Sequence, residues 1–286
     1  MMKKSSVVLI SLVISTILGA FVWYGVRHAR GVPVVIDEPQ ALLLKVPHID
    51  QEIDLTRGIA EGWESLAFKE LELMYQVMVF PWPARGLTDL AVKAFHNGKD
   101  IYFYLEWKDD TEDRGVEINT FPDATAVMFS LTDDAPPSTL MMGFLGQANI
   151  WHWKANQDSK FWKIPYPEKK AYVDFYYPFE DEELFEVSKE QFPSAVNDLV
   201  AVRVGTITRK ERQDVQGRGI WKDGAWHVVL KRSLKEVDPE IDAVFTSEKD
   251  RFCAFAVWNG AKGDRGGRKS ISDRFKLQIG RPGGIL

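Results

Sequence analysis

Leu90-Ala-Val-Lys-Ala-Phe-His-Asn-Gly-Lys-Asp-Ile-Tyr-Phe-Tyr-Leu-Glu-Trp107 decides the fold class. Two alternating apolar runs, Leu90–Phe95 and Ile101–Trp107, flank Asn97-Gly98. Asn-Gly between such runs is a strong hairpin signal, because both residues tolerate the positive φ of a tight turn. Successive strand side chains point to opposite faces. Ile101, Phe103, Leu105 and Trp107 therefore share one face, and Tyr102, Tyr104 and Glu106 the other. Gly219-Ile-Trp-Lys-Asp-Gly-Ala-Trp226 predicts a second hairpin, turning at Asp223-Gly224. Further strands are predicted at Ala124–Leu131, Leu140–Gly143, Asn149–Lys154, Val200–Ile207, Ala225–Leu230 and Phe252–Trp258. Short strands separated by turn signals define an all-β chain, read as an antiparallel β-sandwich. Short helices are expected in its loops, notably in the acid- and aromatic-rich stretch Pro165–Glu190.

Bulk composition narrows the function classes. The chain has 286 residues, 45% hydrophobic and 12% aromatic, enough to build a core and exclude a disordered polymer. Residues 1–30 hold Lys3, Lys4, Arg27 and Arg30 and no acid, so the net charge of -5 splits into +4 there and -9 over the rest. A body this acidic argues against a nucleic-acid partner, which needs a basic face. The only cysteine, Cys253, excludes an internal disulfide, a cysteine-ligated cluster and c-type haem attachment. It is read as a buried small hydrophobe between Phe252 and Ala254.

Val7 to Tyr24 is a run of 18 uncharged, mostly apolar residues behind Lys3 and Lys4. That length is near the lower limit for a bilayer span, and Trp23 and Tyr24 suit its interface. We read residues 1–31 as an N-terminal membrane anchor, one transmembrane helix, and residues 32–286 as a single extracytoplasmic (periplasmic-side) domain. Cleavage of the segment would release that domain as a secreted form.

Catalytic and metal motifs are scarce. His28, His48, His96, His152 and His227 show no metal-ligand spacing, and each is read as structural. His96 is expected to be exposed in its turn. Asp109, Asp110, Glu112 and Asp113 lack the calcium-loop glycine and read as a solvated turn. Gly263-Asp-Arg-Gly-Gly-Arg-Lys269 matches no phosphate loop. No nucleophile motif is present.

Three segments together carry a family resemblance. They are Met141-Met-Gly-Phe-Leu-Gly-Gln-Ala-Asn-Ile-Trp-His-Trp-Lys-Ala155, Gly219-Ile-Trp-Lys-Asp-Gly-Ala-Trp-His-Val-Val229, and Phe255-Ala-Val-Trp-Asn-Gly-Ala-Lys-Gly-Asp-Arg-Gly-Gly-Arg-Lys-Ser-Ile-Ser272, with the Trp107–Thr111 turn before them. Over about residues 40–280 the chain resembles the haem-binding γ subunits of ethylbenzene dehydrogenase-type molybdoenzymes. That group includes the γ subunits of dimethylsulfide dehydrogenase, selenate and chlorate reductases and related nitrite oxidoreductases. The resemblance implies a sandwich like that of carbohydrate-binding modules, enclosing one haem b with Met and Lys axial ligands. It also implies a molybdopterin catalytic α subunit, an iron–sulfur β subunit, and a soluble cytochrome or similar redox carrier as partners.

Carried onto this sequence, the resemblance points to Met142, beside Gly143, with Met141 as its neighbour on the opposite strand face. For the lysine it points to Lys222, with Lys154 and Lys231 as alternatives. Trp151 and Trp221 are expected to wall the porphyrin. A ligating lysine must first lose its proton, which costs roughly 4–5 kcal/mol at pH 7 from an ordinary pKa. Iron held by protein on both faces leaves no vacancy for substrate, so the expected role is electron transfer, not catalysis. The alternative reading is a non-haem carbohydrate- or ligand-binding sandwich, suggested by the many Trp and Tyr.

Overall fold

The computed structural model describes residues 42–59, 61–75, 89–115, 121–138, 142–166, 192–203, 205–235 and 237–283. The expected anchor at 7–24 and most of Pro165–Glu190 lie outside the described residues. Among the described residues, no helix is long and apolar enough to cross a membrane.

The deciding stretch forms β4 (Leu90–His96) and β5 (Asp100–Lys108), antiparallel, with Leu90 opposite Trp107. Asn97 Oδ1 accepts the N–H groups of Lys99 and Asp100, and Gly98 takes φ +81°, so the turn is closed by its own residues. β12 (Gln216–Lys222) and β13 (Ala225–Ser233) form the second hairpin. Asp223 and Gly224 both hold positive φ there, +54° and +75°, as a two-residue hairpin turn requires. With β2 (Lys69–Leu71) these strands make a five-stranded sheet in the order β12-β13-β5-β4-β2.

The second sheet has nine strands. Its main path runs β1 (Leu42–Val46), β16 (Phe275–Ile279), β14 (Arg251–Trp258), β6 (Ala124–Ser130), β9 (Ala148–Lys154), β10 (Val196–Ala201) and β11 (Thr208–Arg209). β15 (Ser270–Ser272) bridges β14 to β3 (Leu73–Tyr75). β1 pairs with β16 in parallel, and the other named pairings are antiparallel. β7 (Pro137–Ser138) and β8 (Gly143–Phe144) form a small separate hairpin.

One apolar core joins the sheets. Its centre is a trio of indoles: Trp107 and Trp226 of the five-stranded sheet meet Trp153 of β9 at ring separations of 5.0–6.3 Å. Phe103 likewise meets Phe129 and Trp151 across the interface. Each such buried ring contributes about 1.5–3 kcal/mol from removal of apolar surface, so the sheets are held chiefly by aromatic packing.

Several expectations need correction. The predicted strand Val200–Ile207 instead begins at Val196 and ends at Ala201, and 202–207 is a loop before β11. Met142 lies in a turn before the two-residue β8, not inside a strand. A helix, α1 (Ala155–Trp162), continues directly from β9. His96 is buried: its Nδ1 accepts the Gly98 N–H and its Nε2 donates to Gly280 O at 2.9 Å. Asp109 is buried as well, so the acidic turn is solvated only in part.

Candidate functional site

Alternation along three adjacent strands builds an unusual outer face on the nine-stranded sheet. β6 turns Thr125, Val127 and Phe129 inward; β14 turns Cys253, Phe255 and Val257 inward; β9 turns Trp151 and Trp153 inward. The opposite set is Ala124, Ala126 and Met128, Ala254, Ala256 and Trp258, and Ile150, His152 and Lys154. An antiparallel sheet exposed on one side would carry polar residues there. Here the outward face is apolar, rich in alanine and largely buried. Methyl-sized side chains leave a recess over the sheet, and a cavity of about 620 Å³ occupies it. That volume lies within the ~300–1,000 Å³ range of small-molecule and cofactor sites.

Met142 reaches this cavity because of the residue after it. Gly143 has φ +100°, and a Cβ there would stand 2.9 Å from both Ala254 Cβ and Ser272 O. Only glycine lets the chain press this closely onto β14, and the contact holds Met142 at 2% exposure against the cavity.

The cavity walls also carry nitrogen bases that have no counter-ion among the described residues. Lys269, on the loop entering β15, is buried, with its ammonium 5.1 Å from the centroid of the Trp258 ring. Burial alone pushes its pKa down to about 8. Lys154, the last residue of β9, is also lowered by burial alone. His152 stacks on Trp258 at 4.7 Å, and its Nε2 is buried with no hydrogen-bond partner. Burial, then the charges of Lys154 and Lys269, keep this imidazole neutral well below its ordinary pKa. Asp264 lines the same cavity, but its carboxylate is engaged by Tyr75 Oη at 2.7 Å and the Asn259 N–H at 3.2 Å. The site therefore offers two soft thioethers, Met142 from the loop and Met128 from β6, and two amines lowered in pKa by burial, above an apolar floor. Such a donor set suits a ligand with a Lewis-acidic centre and anionic groups.

The structure redistributes the expected site residues. Met142 lines the cavity, whereas Met141 lies outside the described residues. Lys222 does not line it: it ends β12 beside the hairpin turn, its side chain 72% exposed and 3.8 Å from Asp223. Trp151 points inward, fully buried, with Nε1 donating to Asn149 Oδ1. Trp221 packs against the inter-sheet core and donates to Asp109 O. Neither indole reaches the cavity. Of the alternative lysines, Lys154 lines it, while Lys231 pairs with Glu52 at 3.2 Å and Asp100 at 3.3 Å. Lys269, His152 and Trp258 went unselected. The available signal was the Ala-x-Ala pattern shared by β6 and β14, which marks a strand buried on both faces with one face kept small.

Fold and cavity together define a two-sheet β protein with an apolar-floored cavity on the outside of its larger sheet. The family model described as ethylbenzene dehydrogenase matches residues 63–270, and the chain belongs to that family. A protein assigned as a respiratory nitrate reductase heme subunit of Haloferax mediterranei is 25% identical over 87% of this chain and 77% of its own length. The dimethylsulfide dehydrogenase γ subunit of Rhodovulum sulfidophilum is 28% identical over 64% of this chain and 57% of its own length. Among solved structures, a family 9 carbohydrate-binding module of Caldicellulosiruptor kristjanssonii in complex with glucose has a TM-score of 0.44 and 10% identity, over 85% of this chain and 98% of that one.

Proposed function

We propose that the chain is the haem-carrying, electron-transferring subunit of a molybdenum oxidoreductase complex and holds one haem b in the cavity above β6, β9 and β14. The observation that carries this reading is that Met142 and the buried Lys269, which has no ion pair among the described residues, line one alanine-floored cavity. Relatives named as a heme subunit and as a dehydrogenase γ subunit support it. The residues fit the group: the Met142 thioether and the readily deprotonated Lys269 amine would hold its iron, and the outward alanines leave room for a flat ring. Lys269 replaces Lys222 in this assignment, and Trp258 and His152 replace Trp151 and Trp221 as ring neighbours.

When bound, haem supplies a one-electron iron couple. The protein's share is to hold and desolvate it. Met142 provides a neutral, soft ligand of the kind that raises a reduction potential. Lys269 gives up its proton at moderate cost because burial has already disfavoured its charge. With Met142 and Lys269 both engaged in holding it, haem would serve as an electron carrier, and catalysis would rest with the chain's partners. Those are a molybdopterin catalytic subunit and an iron–sulfur subunit, with a soluble redox carrier beyond. Export and anchoring through residues 7–24 would place the complex on the periplasmic side of the membrane.

The full-length protein purified with its membrane fraction should be red, with a Soret band and a pyridine haemochromogen spectrum of b type. A folded, colourless protein that takes up no added haemin would refute the assignment.

A further inference from the structure

We propose that Lys154 binds a carboxylate of the cofactor, with Arg265 as a second cation at the cavity mouth, so that the site recognises the acidic side chains of its ligand as well as its metal. This rests on the haem reading above. Two amines line the cavity, Lys269 buried and Lys154 half-buried, and holding the iron together with Met142 would use only one of them. Lys269 is discharged by serving as the neutral donor. Lys154 is left half-buried on the cavity wall with no ion pair or hydrogen bond to its ammonium among the described residues, and burial lowers its pKa. An uncompensated buried charge is costly, so such a group calls for an anion.

Among the described residues, the surrounding wall does not supply one. Lys154 extends from the same strand face as Ile150 and His152, and His152 is neutral. Asp264, the acid lining the cavity, is already held by Tyr75 and Asn259. The ligand is then the source of the anion in this proposal. Haem brings two carboxylates. Arg265 is placed for the second: it is exposed, lines the cavity, and its guanidinium lies 4.4 Å over the Phe121 ring, steadied by a 3.1 Å bond to Gly263 O.

The test compares haemin with haemin dimethyl ester, whose carboxylates are masked, binding to the haem-free full-length protein and followed at the Soret band. A charge-assisted hydrogen bond is typically worth about tenfold to a hundredfold in affinity. Wild type should prefer haemin over the ester by at least about tenfold. Lys154→Gln should lose most of that preference yet keep the six-coordinate low-spin spectrum, and Lys154→Arg should restore the preference. Equal wild-type binding of haemin and ester, or an unchanged preference in Lys154→Gln, overturns the proposal while leaving the haem site standing. So does loss of the low-spin spectrum in Lys154→Gln with its retention in Lys269→Gln, which would make Lys154 the iron ligand. Binding of neither compound removes the haem reading and this proposal together.

Discussion

Haem uptake should weaken about tenfold per pH unit below pH 8 and level off above it, because the proposed iron donor is a lysine whose pKa burial holds at about 8. Only the neutral amine has a lone pair for iron, so protonation competes with ligation. With a pKa of about 8, roughly one-tenth of the amine is neutral at pH 7 and one-hundredth at pH 6. An ordinary lysine at 10.5 would have about one part in three thousand neutral at pH 7. The difference between the two corresponds to about 3 kcal/mol. The assay is a haemin titration from pH 6 to pH 10, scoring affinity and low-spin fraction. The two cases share a slope at low pH and diverge above pH 8, where the buried lysine reaches its plateau. Lys269→Met, which offers a thioether of similar length, should abolish the slope, and Lys222→Met should leave it intact. A slope continuing to pH 10, or one that survives in Lys269→Met, would refute the assignment of Lys269.

Further outcomes follow from the same geometry. In the haem-free protein at pH 7, Lys269→Met should stabilise the fold by up to about 3 kcal/mol in urea denaturation. The sign follows from the lowered pKa: the unfolded chain binds this proton more tightly, so the cost is fully present below pH 8 and fades as pH rises towards 10.5. A less stable variant would contradict it. Met142→Leu keeps the volume and removes the sulfur, so the reduction potential should fall and the low-spin spectrum change; unchanged spectra would show that Met142 is not a ligand. Gly143→Ala must place a Cβ 2.9 Å from Ser272 O at φ +100°, and should cost at least about 2 kcal/mol of stability and loosen haem binding. Ala124→Leu fills the cavity floor; haemin affinity should fall at least tenfold with little loss of thermal stability, and undiminished uptake would place the cofactor elsewhere.

Local chemistry made the β architecture readable. The alternation in Leu90–Phe95 and Ile101–Trp107, the Asn97-Gly98 turn and the Asp223-Gly224 turn each involve neighbours in the chain, and each appears with its expected faces. The single Cys253 argued against cysteine-ligated clusters and c-type haem attachment from composition alone, whereas the Met142-Gly143 pair stood out only through the family resemblance. The choice of lysine could not be made that way. Lys222 and Lys269 are both lysines near glycine-rich turns, and only strand pairing separates them. β12 lies at the edge of the five-stranded sheet, which leaves Lys222 in solvent. β14, β6 and β9 lie side by side in the other sheet, so residues from about 124 to 258 share one outer face. The loops bearing Met142 and Lys269 close over it from opposite directions of the sequence. Parity decided the tryptophans in the same way: Trp151 falls on the inward set of β9 and His152 on the outward set, and which set meets a cavity depends on what covers the sheet. Periodicity assigns residues to faces, but a face becomes a site only when distant segments pack against it, and that is a property of the tertiary fold.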